Sequence, residues 1–240
     1  MTLRRGSGQA RLGRAAAITF VLLAANASPA RAQIYLGTDT PHLGSWELGG
    51  GLVWSKGYDL GTRCAEETRN PGTGTGGFCL FQTASEVAAP TGGVVRLGFY
   101  VSPAISVEGS GQYLRPLVST RLTGDAEQAP ETTASETLTR IIVDGSVVFH
   151  IRRLTFAGGR AVPFVAGGAG YLRELHQGNE LIETGTTYHA GGGLQFWLGQ
   201  GAHRFGVRAD IGASIRDGGF DFGENRRTLP TAGVSLVYLF

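Results

Sequence analysis

The sequence is poor in lysine and methionine and has no long apolar run. Lys56 is the single lysine among 240 residues, and Met1 is the only methionine. Beyond residue 33 no apolar stretch approaches the roughly 20 residues of a membrane-spanning helix, so we expect none there. The 39 glycines follow no three-residue period, which excludes collagen. Apolar residues recur along the whole chain, which excludes a disordered protein.

The first 32 residues have the organisation of a secretory signal peptide. Residues 15–25 form an apolar run, and Ala30-Arg31-Ala32 is a small-x-small cleavage site. The basic residues before the run are Arg4, Arg5, Arg11 and Arg14. A transmembrane helix is the rival interpretation, but the run is too short to cross a bilayer. We predict a cleaved signal peptide over residues 1–32 and a short periplasmic segment over residues 33–45.

Cleavage would reverse the sign of the net charge. The formal charge of the whole chain is +2, and the first 32 residues contain five arginines and no acid, so the remainder carries −3. The electrostatic support for nucleic-acid binding is lost with the signal peptide. We therefore expect no nucleic-acid partner.

The only two cysteines are Cys64 and Cys79. Export places them in an oxidising compartment, where a disulfide can persist, so they are a disulfide candidate. Zinc binding is the rival interpretation. No histidine lies between or beside them, and a structural zinc site usually has four ligands. We expect neither a metal nor a cofactor.

Alternation with a period of two recurs in eight segments. The clearest covers residues 205–216, where apolar residues alternate with Gly206, Arg208, Asp210, Gly212, Ser214 and Arg216. A strand separates these two sets onto opposite faces, whereas a helix would mix them. The segments cover residues 46–55, 95–101, 105–113, 140–151, 161–171, 188–198, 205–216 and 231–240. Their lengths suit tilted membrane strands of about 9–11 residues.

The connections between these segments alternate between short and long. The short ones cover residues 102–104, 152–160 and 199–203, and the long polar ones cover residues 59–88, 114–136, 172–186 and 217–224. A soluble β-sandwich also has short strands, but this alternation is typical of bacterial outer-membrane barrels, whose short turns are periplasmic. We predict an all-β, eight-stranded antiparallel up-and-down transmembrane β-barrel over residues 46–240, with both termini periplasmic.

Aromatic residues are expected near both ends of the predicted strands, as interfacial girdles. The set near the short turns is Trp46, Phe99, Phe149, Phe196, Phe205, Tyr238 and Phe240. The set near the long loops is Trp54, Tyr58, Tyr113, Tyr171 and Tyr188. The last segment ends with Val234, Leu236, Tyr238 and Phe240 at alternate positions.

With its signal peptide, strand count and terminal aromatic, the chain resembles the outer-membrane β-barrel-domain family, the OmpX-like and OmpA-barrel-like small porin-type proteins. The resemblance covers residues 46–240 and implies a place in the bacterial outer membrane. It implies outer-membrane lipids and lipopolysaccharide as partners, with the barrel-insertion machinery and periplasmic chaperones. The terminal aromatic would then be the C-terminal barrel signal, and we expect a monomer.

Several polar residues are predicted to face the lumen together. They are Glu47, Arg96, Glu108, Gln112, Arg140, Asp144, Gln195, Arg208 and Asp210. Acids and arginines are mixed, so they can pair, as buried charges must. An eight-stranded barrel is just wide enough for side chains to fill it, which favours a structural polar core. A narrow pore for ions or small solutes is the alternative.

The long loops are the expected functional surface, because barrels carry variable loops on a rigid scaffold. We expect a structural or adhesin-like, surface-interaction role. The candidate lipopolysaccharide-binding arginines on the rim are Arg115, Arg121, Arg173, Arg216, Arg226 and Arg227. Guanidinium groups match phosphate bidentately, although a solvated rim is an equal alternative.

A lipid A- or phospholipid-modifying enzyme is the less favoured alternative. Such an enzyme needs a base within hydrogen-bond reach of its nucleophile. His189, with a neighbouring serine or threonine, is the only tolerable candidate, and the sequence shows no convincing catalytic constellation. We assign no catalytic residue and expect no enzymatic activity.

Overall fold

A closed antiparallel barrel contains most of the described chain. The computed structural model describes residues 41–66, 79–125, 130–176, 181–199, 201–219 and 226–240, so the predicted signal peptide lies outside the described residues. The barrel strands are β1 (Trp46–Ser55), β4 (Thr91–Ser102), β5 (Ile105–Leu114), β8 (Thr139–His150), β9 (Ala161–Leu175), β10 (Ile182–Trp197), β11 (Arg204–Gly218) and β12 (Arg226–Leu239). Within these described ranges, no helix is both long and apolar enough to cross a membrane.

Pairing of the first strand with both the fourth and the last strand closes the barrel. The spatial order is β1-β12-β11-β10-β9-β8-β5-β4, with β1 hydrogen-bonded to both β12 and β4. Phe240 and Trp46 exchange backbone hydrogen bonds, each with a 2.8 Å N···O distance, at the end of this seam. The predicted eight-stranded up-and-down barrel is confirmed.

Strict alternation of burial explains why these segments are strands. In β8 every even-numbered residue from Arg140 to His150 is buried, and the odd-numbered residues Ile141, Val143, Val147 and Phe149 are exposed on the outer face. The outward residues are β-branched or aromatic, which favours strands. The inward set mixes polar with apolar side chains.

The last four barrel strands are each at least three residues longer than the sequence predicted. β9, β10, β11 and β12 contain 15, 16, 15 and 14 residues. The predicted connections over residues 172–186 and 217–224 are therefore partly strand, a correction to the sequence analysis. Backbone hydrogen bonds continue the ladder into polar sequence, where hydrophobic alternation gives no signal.

The two longest predicted loops contain a second sheet, which corrects their assignment as loops. Its strands are β2 (Tyr58–Glu66), β3 (Cys79–Val87), β6 (Leu117–Thr123) and β7 (Thr132–Thr137), in the order β2-β3-β6-β7. We call this four-stranded sheet the platform. It is stabilised by a buried cluster of Leu60, Val87, Val118 and Leu138. The cluster draws on both connections, so neither hairpin buries it alone.

A disulfide joins the two strands of the first platform hairpin. Cys64 and Cys79 are bonded, with their Cα atoms 5.5 Å apart. In the strand ladder, Cys64 lies opposite Gln82, and Cys79 lies opposite Glu66. The bond therefore fixes the register of β2 against β3.

Removal of this disulfide will loosen the platform selectively. A bond across 15 positions stabilises the folded hairpin by about 3 kcal/mol in the chain-entropy treatment. In the Cys64→Ser, Cys79→Ser variant we expect amide exchange in β2 and β3 to accelerate by up to about 100-fold. Protection of β8 amides serves as the internal control. Equal acceleration in β8 would contradict a local role for the bond.

Candidate functional site in the barrel lumen

One end of the lumen is filled by buried side chains. We call the end near the 102–104, 151–160 and 198–203 connections the short-turn end, and the opposite end the long-loop end. Glu47 Oε2 accepts hydrogen bonds from Tyr100 Oη at 2.9 Å and from Gln195 Nε2 at 2.8 Å. Trp197 packs in the same buried cluster as Tyr100, and the Arg204 guanidinium lies 4.3 Å from the Trp197 ring centroid. These large side chains fill the lumen at the short-turn end.

Arg152 lies at this end, outside the strands, in the single turn of 3₁₀ helix Arg152–Leu154. Its Nε donates to the carbonyl of Pro103. Burial lowers the pKa of the Arg152 guanidinium from its ordinary value, and nearby Arg204 acts in the same direction. The contact with Pro103 ties two neighbouring turns together.

A central ion-pair cluster lies at mid-height. It consists of Arg96, Glu108, Arg208 and Asp210. Arg208 Nη1 donates to Glu108 Oε2 at 2.5 Å, and Arg96 Nε lies 3.5 Å from Glu108 Oε1. Arg96 also bonds Asp210 Oδ1 at 3.2 Å. The formal charges of this cluster balance, as buried ion pairs require.

Asp144 is held by neutral donors. Its Oδ2 accepts from Ser110 Oγ at 2.9 Å and from Gln112 Nε2 at 3.2 Å. Ser146 Oγ lies 3.5 Å from Asp144 Oδ1 and 3.0 Å from His189 Nε2. Gly168 leaves room for the His189 ring, since a Cβ at residue 168 would lie 2.8 Å from His189 Cε1.

At the long-loop end, a carboxylate holds two arginines. Glu174 is fully buried and bonds Arg140 Nε at 2.6 Å and Arg216 Nη2 at 3.0 Å. Tyr58 of the platform accepts from Arg216 Nη1 at 3.1 Å and from Arg140 Nη2 at 3.4 Å. We call Tyr58, Arg140, Glu174 and Arg216 the mouth cluster. The structure corrects the prediction that Tyr58 belongs to an aromatic girdle, because this side chain covers the lumen rather than the outer face.

A cavity of about 110 Å³ lies within the lumen. Its polar lining includes members of the central and mouth clusters together with Asp144, Ser146 and His189, and its apolar lining includes Phe164 and Ile142. At roughly 10–15 Å³ of such space per water molecule, it has room for several waters or one small molecule. The structure thus places all nine predicted lumen residues on the inner face. Seven of them line this cavity, and the other two, Glu47 and Gln195, are hydrogen-bonded to each other at the short-turn end.

The six predicted rim arginines have different environments. Arg115 and Arg173 are exposed. Arg121 pairs with Glu131, and Arg226 Nε bonds Asp217 Oδ2 at 3.0 Å. Arg216 is buried, which corrects its placement on the rim: its side chain is directed into the lumen, where it pairs with Glu174.

Arg227 is also turned away from the expected phosphate-binding position. It donates to the Asp59 carbonyl at 2.9 Å, and its guanidinium lies 4.9 Å from the Tyr58 ring centroid. Arg227 therefore connects barrel strand β12 to the platform. Cross-strand contacts of this kind depend on tertiary pairing and leave no signal in the local sequence.

Glu174 and Tyr58 are the main lumen residues that sequence reasoning missed. Glu174 shares the inward parity of Phe164 and Leu172 on β9. Extending the predicted segment beyond residue 171 along that parity would have found it. Tyr58 has no comparable signal, because it reaches the lumen from the platform.

Comparisons with known proteins add information on the fold. No model of a known protein family matches the chain, and no curated protein matches it. The outer membrane protein OprG from Pseudomonas aeruginosa matches with a TM-score of 0.50 at 11% identity, over 84% of this chain and 98% of OprG. The chain has the fold of a small outer-membrane β-barrel. At this identity the likeness shows the fold alone.

Two further solved structures match with TM-scores too low to support an inference. Ail, the attachment invasion locus protein of Yersinia pestis, matches at 16% identity over 82% of this chain and 99% of its own, with a TM-score of 0.38. The outer membrane protein AlkL in DMPC bilayers matches at 12% identity over 85% of this chain and 93% of its own, with a TM-score of 0.35.

Loss of the Glu174 carboxylate will destabilise the barrel strongly. In Glu174→Gln, two buried arginines lose their shared charge partner, and breaking a buried pair costs about 3–5 kcal/mol. Glu131→Gln is the control, because its pair with Arg121 is exposed and worth about 1 kcal/mol or less. Reversible unfolding in lipid vesicles, followed by tryptophan fluorescence, measures both. Equal losses in the two variants would contradict a special role for Glu174.

Proposed function

We propose that the chain is a bacterial outer-membrane protein that presents the platform at the cell surface for interaction with a partner. The outer face of the barrel supports membrane embedding, because a continuous apolar surface of this kind needs a hydrocarbon environment. Its exposed apolar residues include Leu48, Leu52, Val95, Leu97, Val107, Val143, Val147, Val165, Ile211, Val234 and Leu236. In this proposal the short turns and both termini are periplasmic, and the platform is extracellular.

The platform is the observation that carries this proposal. Two connections fold into one sheet with its own buried cluster and a disulfide. Closure of the barrel does not require this sheet. A rigid scaffold that carries an ordered extramembrane surface is a common arrangement for recognition.

The chemistry of the outer platform face is polar. Thr62, Ala84, Arg121 and Thr133 lie directly opposite one another across the four strands, and so point to the same side. Val87 and Val118 pair on the opposite side, within the buried cluster. Threonine hydroxyls and the Arg121 guanidinium therefore lie on this face, which suits a polar partner.

Lipopolysaccharide is the proposed lipid partner at the rim. Arg115 and Arg173 are exposed, and their guanidinium groups can bind phosphate bidentately. Two isolated arginines give a weaker site than the six that the sequence suggested.

Substitutions on the polar face will weaken surface interaction strongly while the barrel stays intact. We expect cells that display the chain to bind mucin, immobilised glycans or cultured epithelial cells above empty-vector cells. The Thr62→Lys, Gln82→Lys, Thr133→Lys variant should lose at least about tenfold of this binding, since new charges on a desolvated surface are costly. Thr228→Lys, on β12, is the control and should bind normally. Binding equal to empty-vector cells throughout would refute the proposal.

A narrow pore is the second candidate, favoured by the polar lumen cavity. The buried Tyr100 and Trp197 at the short-turn end count against open passage. We therefore expect no steady conductance from the wild-type chain in planar bilayers. Steady wild-type conductance that changes in Arg96→Ala or Arg208→Ala would support the pore instead, because these arginines occupy the mid-lumen.

A further inference from the structure

We propose that the turn over residues 151–160, at the short-turn end, binds an anionic phospholipid. Its apolar side chains lie among the acyl chains, and its arginines hold the headgroup phosphate. This inference rests on the proposed embedding of the barrel in the outer membrane, in which the turn meets the periplasmic leaflet. It does not depend on the platform or on the partner of the platform.

The turn extends the apolar outer face of the barrel. Phe156 and Ala161 exchange backbone hydrogen bonds, each with a 3.1 Å N···O distance, and Phe196 lies opposite Ala161 on β10. Ala161 has the same outward parity as the exposed Val165. Directly opposite residues point to the same face, so Phe156 and Phe196 flank Ala161, which is fully covered. Phe156 is 51% exposed and Leu154 is 61% exposed, which suits the interface of a bilayer.

Three arginines give this turn an excess of positive charge. Arg153 and Arg160 are exposed, and Arg152 is half-buried. In the part of the chain that the structure describes, none of the three has a carboxylate within ion-pair distance. Glu47 has the only described side-chain carboxylate at the short-turn end, and it is buried against neutral hydrogen-bond donors in the lumen. The turn therefore presents a charge that an external anion can neutralise.

The backbone places the charged groups next to the apolar ones. Ala157, Gly158 and Gly159 have positive φ values of 54°, 68° and 85°. The chain therefore reverses directly after Phe156 and returns to the strand ladder. Because Phe156 is level with the first residue of β9, Arg160 lies one residue beyond it, towards the end of the barrel.

This arrangement has the chemistry of an interfacial lipid site. Arg153 adjoins Leu154 in the chain, and Arg160 lies just beyond Phe156, so each exposed arginine has an apolar neighbour. Arginine side chains extend from apolar surroundings to polar ones, and a guanidinium group matches phosphate bidentately. A soluble anion would leave both apolar side chains in water, and a lipid without net charge would leave the arginines uncompensated. An anionic phospholipid satisfies both sets of groups.

The test observes the turn itself in lipid nanodiscs. The mature chain is placed in phosphatidylcholine nanodiscs with a rising mole fraction of phosphatidylglycerol, and the backbone amide NMR signals of Gly158 and Gly159 are recorded. Both glycines lie between Phe156 and Arg160. We expect their signals to shift saturably, while amide signals from the centre of β8 stay unchanged.

Matched variants test the role of the two exposed charges. The variant Arg153→Gln, Arg160→Gln should raise the half-saturating fraction of phosphatidylglycerol at least about tenfold, which corresponds to about 1.4 kcal/mol. The control variant Arg63→Gln, Arg121→Gln removes the same charge from exposed positions on the platform. It should respond like the wild-type chain.

The apolar contribution is tested separately. The variant Leu154→Gln, Phe156→Gln keeps every charge and should also weaken the lipid response, because burial of these side chains among acyl chains is favourable. Soluble glycerol phosphate has the headgroup phosphate without acyl chains, and soluble peptidoglycan fragments have carboxylates. Neither should produce a saturable shift in phosphatidylcholine nanodiscs.

The contrary outcomes are distinct. A wild-type chain that enters nanodiscs and shows no saturable shift overturns this inference alone, whereas a chain that does not enter them overturns the membrane embedding as well. A saturable response to glycerol phosphate or to peptidoglycan fragments would identify a simple anion site or a cell-wall site, and would overturn the lipid site. An unchanged response in Arg153→Gln, Arg160→Gln would overturn it too, because the lipid would then bind elsewhere.

Discussion

The closed hydrogen-bond ladder imposes the main constraint on this chain. Once β1 pairs with both β4 and β12, the barrel has no free strand edge, and every second side chain must share a narrow lumen. Large inward groups are then tolerated only where a neighbour is small. Gly168 and Gly170 give this space beside His189 and Asp144, because a Cβ at either position would lie less than 3 Å from these residues.

Charge in such a lumen has to be compensated locally. Glu108 pairs with Arg96 and Arg208, while Glu174 pairs with Arg140 and Arg216, so each of these two buried glutamates is shared between two arginines. Sharing a carboxylate reduces the number of acids that the barrel must bury. The pattern also separates two layers of charge along the barrel axis, with the cavity between them.

Most of the barrel could be predicted from the sequence because its outward residues face one environment along their whole length. The alternation in residues 205–216 places Arg208 and Asp210 inward without any tertiary information. The platform could not be predicted in this way. Its strands combine polar faces with a small cluster around Leu60 and Val118, and their pairing depends on contacts between separate connections. Arg216 shares the inward parity of Arg208 and Asp210, but the predicted segment ended at this residue, which placed it on the rim, whereas β11 continues to Gly218.

The composition of the mouth cluster has a consequence for the order of assembly. Tyr58 is synthesised early, but its arginine partners belong to β8 and β11. The contact between Tyr58 and Arg216 can therefore form only when β11, from the last third of the chain, is in place. The mouth cluster is complete only when the platform, β8, β9 and β11 are all present. One side chain near the start of the barrel thus depends on a strand close to its end.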